Sequence, residues 1–144
     1  MSTIGYTTGV FDLFHIGHLN ILRRAKQECD YLIVGVTTDE LCLSRKNKAP
    51  VIPFSERMDI VQSIRYVDQA VPQVDMDKFD AWRRLHFDIM MVGSDWKGTE
   101  QWNALEEEFS KIGVEIRYFD YTETTSSSIL RKTIAKINED RFGG

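Results

Sequence analysis

The chain has 144 residues, 42% hydrophobic and 28% charged, with a formal net charge of −4. This suits one domain, 1–144, with a core of its own, and the negative balance argues against a general nucleic-acid or anionic-membrane binder. Cys29 and Cys42 form neither a metal spacing nor a disulfide framework; with no N-terminal signal pattern and no long apolar run, the expectation is a soluble, cytoplasmic protein with free thiols and no membrane insertion.

Ile4 to Val10 is short and apolar, and it stops at Gly9 and Asp12, as a buried first strand does. Ile16, Leu19, Leu22 and Ala25 then recur at helical spacing, opposite Arg23, Arg24, Lys26 and Gln27. Tyr31 to Val36 is apolar without alternation, which suits a strand covered on both faces of a parallel sheet. Thr38 to Pro53 is weakly periodic and its later part reads as a loop long enough to be functional. Ser55 is the expected cap of a second helix whose stripe is Met58, Val61 and Ile64. Tyr66-Val67 and Ala70-Val71-Pro72 give a third strand around Asp68 and Gln69. Asp77 caps a third helix that turns Phe79, Trp82 and Leu85 inward, and Ile89 to Val92 is a fourth strand leading into Gly93-Ser94-Asp95-Trp96. Thr99 caps a fourth helix with Trp102, Leu105 and Phe109 inward, ending near Lys111 and Gly113. Val114 to Phe119 is a fifth strand, and Ser126 to Ile137 a last helix.

Five alternations of strand and helix predict an α/β domain: a five-stranded parallel sheet with helices on both faces. Ligands of such sheets bind beyond the carboxyl ends of the strands. The special residues fall at those ends: Asp12, His15 and His18 after the first strand, Asp39 and the lysine loop after the second, Gly93, Asp95 and Trp96 after the fourth, Thr122 and the serines after the fifth. His86, among apolar neighbours, reads as partly buried and structural. Met90-Met91 reads as core, and Glu106-Glu107-Glu108 as a solvated face.

Two of the three histidines, His15 and His18, flank Gly17 at a helix start. A metal pair is disfavoured because no third ligand has a supporting spacing. A phosphate site fits better, since the glycine removes a Cβ where a ligand lies close and the helix start offers N–H donors. Thr122, Ser126 and Ser127 before the last helix suit an anion site or simple capping.

Gly-Val-Phe-Asp at 9–12 followed by His-Ile-Gly-His at 15–18 resembles the nucleotidyltransferase superfamily with the HxGH signature. Thr38-Asp39-Glu40, Glu56-Arg57, Arg65-Tyr66-Val67-Asp68 and Gly93-Ser94-Asp95-Trp96 extend the resemblance to the bacterial glycerol-3-phosphate cytidylyltransferase family along nearly the whole chain. The resemblance implies a Rossmann-like fold and transfer of CMP from CTP to a phosphorylated polyol or small alcohol. It implies triphosphate contacts from His15 and His18, and from Lys46 and Lys48 as the family's lysine pair, with Arg45 leaving the register open by one residue. The nucleotide site it implies draws on Thr8, Gly9, Val10, Phe11, Asp12, Gly17, Asp39, Arg65, Asp68, Gly93, Asp95, Trp96, Thr122, Ser126 and Ser127. Base and ribose recognition falls to Asp68, Asp95 and Trp96, and Arg65 to Asp68 lies near a homodimer interface. Mg²⁺ arrives with the nucleotide, because the chain shows no acidic cage.

The last motif departs from the family's pattern. Tyr121 stands where the family has arginine, with Thr124-Thr125 for glycine-isoleucine. Arg131 and Arg117 are candidates for the missing cation, and the acceptor is left open. ATP-dependent adenylyl transfer, or a nucleotide-binding regulator without catalysis, are the alternatives.

Overall fold

The computed structural model describes residues 2–120, 130 and 132–137. Its strands are β1 (Ile4–Gly9), β2 (Tyr31–Thr37), β3 (Gln69–Gln73), β4 (Ile89–Gly93) and β5 (Glu115–Phe119). Its helices are α1 (Ile16–Gln27), α2 (Asp39–Lys46), α3 (Phe54–Gln62), α4 (Lys78–Leu85) and α5 (Glu100–Ser110). The strands form one five-stranded sheet in the order β3-β2-β1-β4-β5, every pair parallel. The chain runs outward from β1 through β2 to β3, then returns to place β4 on the other side of β1. The carboxyl ends of β1 and β4 therefore flank the switch point, where such sheets open a crevice.

The sheet is buried on both faces. Leu32, Val34 and Val36 of β2, with Ile89 and Met91 of β4, join Leu22 and Ala25 of α1 and Val61 of α3 on one side. Ile33 and Met90 point the other way, into a cluster with Ala81 of α4 and Trp102 and Phe109 of α5. This period-two split is why β2 is apolar at successive positions. Leu22 and Leu32, both fully buried, each stabilise the fold by about 1.5–3 kcal/mol relative to exposure.

The caps of α4 and α5 are those expected: Asp77 accepts from Asp80 N at 3.0 Å, and Thr99 from Trp102 N at 3.4 Å. Other boundaries differ. The weakly periodic stretch after β2 contains α2, capped by Thr38, with Asp39 and Glu40 in its first turn and Arg45 and Lys46 in its last. That charge order complements the helix dipole. Asn47, at φ 57°, ends it in the left-handed region, and only the remainder, 47–53, is loop. α3 starts at Phe54, one residue before Ser55, because Asp39 supplies the acceptor for Phe54 N at 3.1 Å. Tyr66 and Val67 are not in β3; the strand begins at Gln69, after the Asp68 carboxylate has bound Leu32 N at 2.7 Å. Pro72 is tolerated because β3 is an edge. Ile16, expected on the buried stripe of α1, is 45% exposed. His86 is exposed too: it is the C-cap of α4 at φ 52°, beside the ring of Trp82. Of the expected last helix, 130 and 132–137 are helical; Tyr121, Thr122, Ser126, Ser127 and Arg131 lie outside the described residues.

Candidate active site

β1 delivers the chain to a turn that ordinary residues enter only under constraint. Phe11 and Leu13 have φ of 55° and 51°, a region costing of order 1–3 kcal/mol for a bulky side chain. Asp12 between them holds the turn. It is 1% exposed, and its carboxylate accepts from Val51 N at 2.8 Å and Ile52 N at 2.9 Å. The Phe11 ring folds back over Gly9, where a Cβ would lie 2.9 Å from it. The glycine is thus required by the turn.

α1 begins with a capping box made of two imidazoles. His15 Nδ1 accepts from Gly17 N at 3.0 Å, and His18 Nδ1 accepts from His15 N at 3.2 Å. The rings stack with centroids 3.9 Å apart, and Phe11 and Phe14 pack against His18 at 5.4 and 5.3 Å. Burial, reinforced by the charge His15 can carry and opposed by Asp12, pushes His18 down to about 4. Burial also lowers His15. Both rings are therefore neutral near pH 7. With Nδ1 accepting, each carries its proton on Nε2. The helix start presents two preset neutral donors.

A pocket of about 230 Å³ opens between the carboxyl ends of β1 and β4, lined by Thr7, Thr8, Met91, Val92, Gly93 and Trp96, with Trp102 and Phe119. Two cations also line it, Arg45 from the last turn of α2 and Lys78 from the first residue of α4. Burial, then the charge of Arg45, lower the Lys78 amine, while Asp75 and Asp77 oppose the shift. Its Nζ stands 5.7 Å from the Trp102 ring centroid. The histidines are not part of this lining; the two regions meet through β1, whose Thr8 lines the pocket and whose exit leads to His15.

A family model described as cytidylyltransferase-like matches residues 6–133. The chain belongs to that family. It is a nucleotidyltransferase. It is 35% identical over 132 residues to the glycerol-3-phosphate cytidylyltransferase of Bacillus subtilis (strain 168), covering 91% of this chain and 96% of that one. At nearly the same level, 34% over 139 residues, it is similar to the FAD synthase of Archaeoglobus fulgidus, covering 95% and 98%. The solved structure of a lipopolysaccharide core biosynthesis protein from Thermoplasma volcanium GSS1 matches with a TM-score of 0.71 at 25% identity, over 87% of this chain and 100% of that one.

Within this nucleotidyltransferase the expected site residues separate into groups. Thr8, Gly9, Val10, Phe11, Asp12, His15, Gly17 and His18 are at the exit of β1, and Gly93, Asp95 and Trp96 are at the exit of β4 with Trp96 43% exposed. Lys46 ends α2, and Lys48 is on the loop beyond it; both are exposed. Asp39 opens α2 at the exit of β2, ion-paired to Arg57 at 2.6 Å. Arg65 and Asp68 are elsewhere. They precede β3, at the amino edge of the sheet, where Asp68 binds Lys26 at 2.7 Å as well as Leu32 N. Burial alone would raise the Asp68 carboxyl; those two hydrogen bonds and the Lys26 charge outweigh it and hold it below the usual range. Arg117, a candidate for the missing cation, is held by Glu115 at 2.6 Å and by Glu28.

Two residues were not singled out from the sequence as site residues. Arg57 is fully buried in α3 behind the site; its signal was a charge four residues before Val61 on the apolar stripe. Lys78 is a cation at a helix N-terminus, where the dipole disfavours it. Among the described residues no three His, Cys, Asp or Glu side chains group to hold a metal ion, and no helix is long and apolar enough to cross a membrane. Asp12 and Asp39, the acids at the exits of β1 and β2, accept from backbone N–H groups or Arg57. They do not fit as a cage for a divalent ion.

Proposed function

We propose that this nucleotidyltransferase moves CMP from CTP onto the phosphate of a phosphorylated polyol or small alcohol, giving a CDP-alcohol and pyrophosphate. A phosphate oxygen of the acceptor attacks the α-phosphorus, the bond to the bridging oxygen breaks, and pyrophosphate leaves with the electron pair. No residue becomes covalently attached, so catalysis is positioning together with stabilisation of charge.

What carries this reading is the histidine pair. Each Nδ1 accepts a backbone N–H, so two Nε2–H donors, held before the substrate binds, are offered to the triphosphate. Neutral donors of this kind need no proton transfer at the transition state. Lys46 at the end of α2 and Lys48 on the loop after it add charge. Gly93, Asp95 and Trp96 are the candidates for base and ribose. Arg45 and Lys78 supply the pocket with cations suited to the acceptor's phosphate. Mg²⁺ belongs in this scheme to the nucleotide. We take the working unit to be a homodimer by family resemblance, which light scattering measures.

Adenylyl transfer from ATP to a flavin phosphate is the second reading, supported by FAD synthases at 34% identity. Pyrophosphate release and product mass decide between them, with CTP or ATP against glycerol 3-phosphate, other phospho-polyols and flavin phosphate. The expected product is a CDP-alcohol. Turnover with ATP alone would sink the cytidylyl assignment, and CTP binding without turnover on any acceptor would favour the regulator.

A further inference from the structure

Arg57 has no exposed surface, yet it is charged and sits on the core-facing side of α3. Its guanidinium donates to Ile52 O at 2.8 Å, to Val10 O and Thr37 O at 2.7 Å each, and to Asp39 Oδ1 at 2.6 Å. Those acceptors come from the exit of β1, the exit of β2, the start of α2 and the loop before α3. The carboxylates complete the arrangement: Asp39 takes Phe54 N, and Asp12 takes Val51 N and Ile52 N. The chain after α2 is thus pinned at 51–54, and Arg45-Lys46-Asn47-Lys48 is exposed just before the pins. An apolar side chain on this stripe would serve stability as well or better, since a buried ion must recover its lost hydration. The five donors of one planar guanidinium can join several segments at fixed angles, which no apolar residue does.

We infer that Arg57, with Asp12 and Asp39, is the positioning clamp of the transfer site. It makes the exits of β1 and β2 and the 51–54 anchor one rigid unit, so that Lys46 and Lys48 move about a pivot fixed relative to His15 and His18. This rests on Lys46 and Lys48 acting on the phosphates. The clamp residues touch no substrate; they act through the lysines.

The first test uses the wild-type protein. In native-state hydrogen exchange the amides of Val51 and Ile52 should be protected nearly as well as those of β2, while Lys48 and Ala49 exchange fast; equal exchange across 48–52 would overturn the clamp. The second test is Asp39→Asn, equal in size but with one anionic acceptor fewer for Arg57 and Phe54 N, at a carboxylate that does not hold the β1 turn; Asp12→Asn, which loosens that turn as well, is read for cleavage only. Trypsin should cut after Lys46 or Lys48 about tenfold faster, as expected for losing one buried hydrogen bond, with the melting temperature little changed. Turnover of Asp39→Asn at saturating substrates should fall about 10²-fold, the scale of a small misplacement of reacting groups. That fall should vanish in a Lys46→Ala/Lys48→Ala background. An equal proportional fall in both backgrounds, or unchanged cleavage, refutes positioning through the lysines. If the double lysine variant turns over normally, the assignment of the lysines fails instead, while exchange and cleavage still report on the pins.

Discussion

His18 has two separable tasks, and Asn in its place should keep one and lose the other. Its Nδ1 caps the start of α1 by accepting from His15 N at 3.2 Å, while its Nε2–H is the donor offered to substrate. The Oδ1 of an asparagine occupies nearly the place of Nδ1, so His18→Asn preserves the cap but has nothing at the position of Nε2. Both variants give up the ring's packing on Phe11, Phe14 and His15, and His18→Ala should cost about 1 kcal/mol more stability than His18→Asn because it loses the cap as well. Losing one preorganised donor should lower turnover about 10²–10³-fold in both variants. Urea unfolding and pyrophosphate release at saturating CTP and acceptor read the two effects separately. If His18→Asn retains wild-type turnover, Nε2–H does not act in the transition state. If it loses as much stability as His18→Ala, the capping role is wrong.

The same imidazole makes stability depend on pH. Its folded-state proton is gained only near pH 4, against 6.5 for an ordinary histidine, so the unfolded chain binds more protons between those values. Stability is full above about 6.5 and falls as pH drops towards 4, by about 2 kcal/mol once partial exposure is allowed for. Urea unfolding of wild type and His18→Asn at pH 7 and pH 4.5 isolates this part, and identical pH dependences would refute it. Lys78→Gln should raise the acceptor KM about tenfold or more, the scale of one charged hydrogen bond, with little change in the KM for CTP; an unchanged acceptor KM removes Lys78 from the site. Asp68→Asn should leave the KM for CTP unchanged, because Asp68 is at the amino edge of the sheet, and a large rise would mean that it reaches the nucleotide.

Regular structure was legible wherever burial left an apolar run, a helical stripe or a local cap to read. The unbroken apolar run of β2 and the caps Asp77 and Thr99 report local chemistry that tertiary contacts then reinforce. α2 was hidden because only Cys42 of its residues is buried, so it has no stripe to read; its support is the Thr38 cap and the order of its charges. The start of α3 was misplaced for a different reason: the acceptor for Phe54 N is supplied by Asp39, a residue 15 positions earlier, and no local pattern carries that. Arg65 and Asp68 were grouped with the nucleotide by resemblance, but strand direction decides which edge of a parallel sheet a residue occupies, and both precede β3.

What escaped the sequence around the histidines has a common physical cause. Left-handed Phe11 and Leu13, the buried carboxylate of Asp12 and the buried guanidinium of Arg57 each break a local rule. Bulky residues avoid positive φ, and helix stripes avoid charge. Each violation is met by partners distant in the sequence: Asp12 ties the strained turn to Val51 and Ile52, and Arg57 ties Val10 before that turn to Ile52 and Thr37. Local conflicts resolved by long-range partners concentrate where geometry matters more than stability. Here they surround the two imidazoles and the base of the lysine loop. The turn and the loop therefore form one mechanical unit, and substitution at either end of it should be felt at the other.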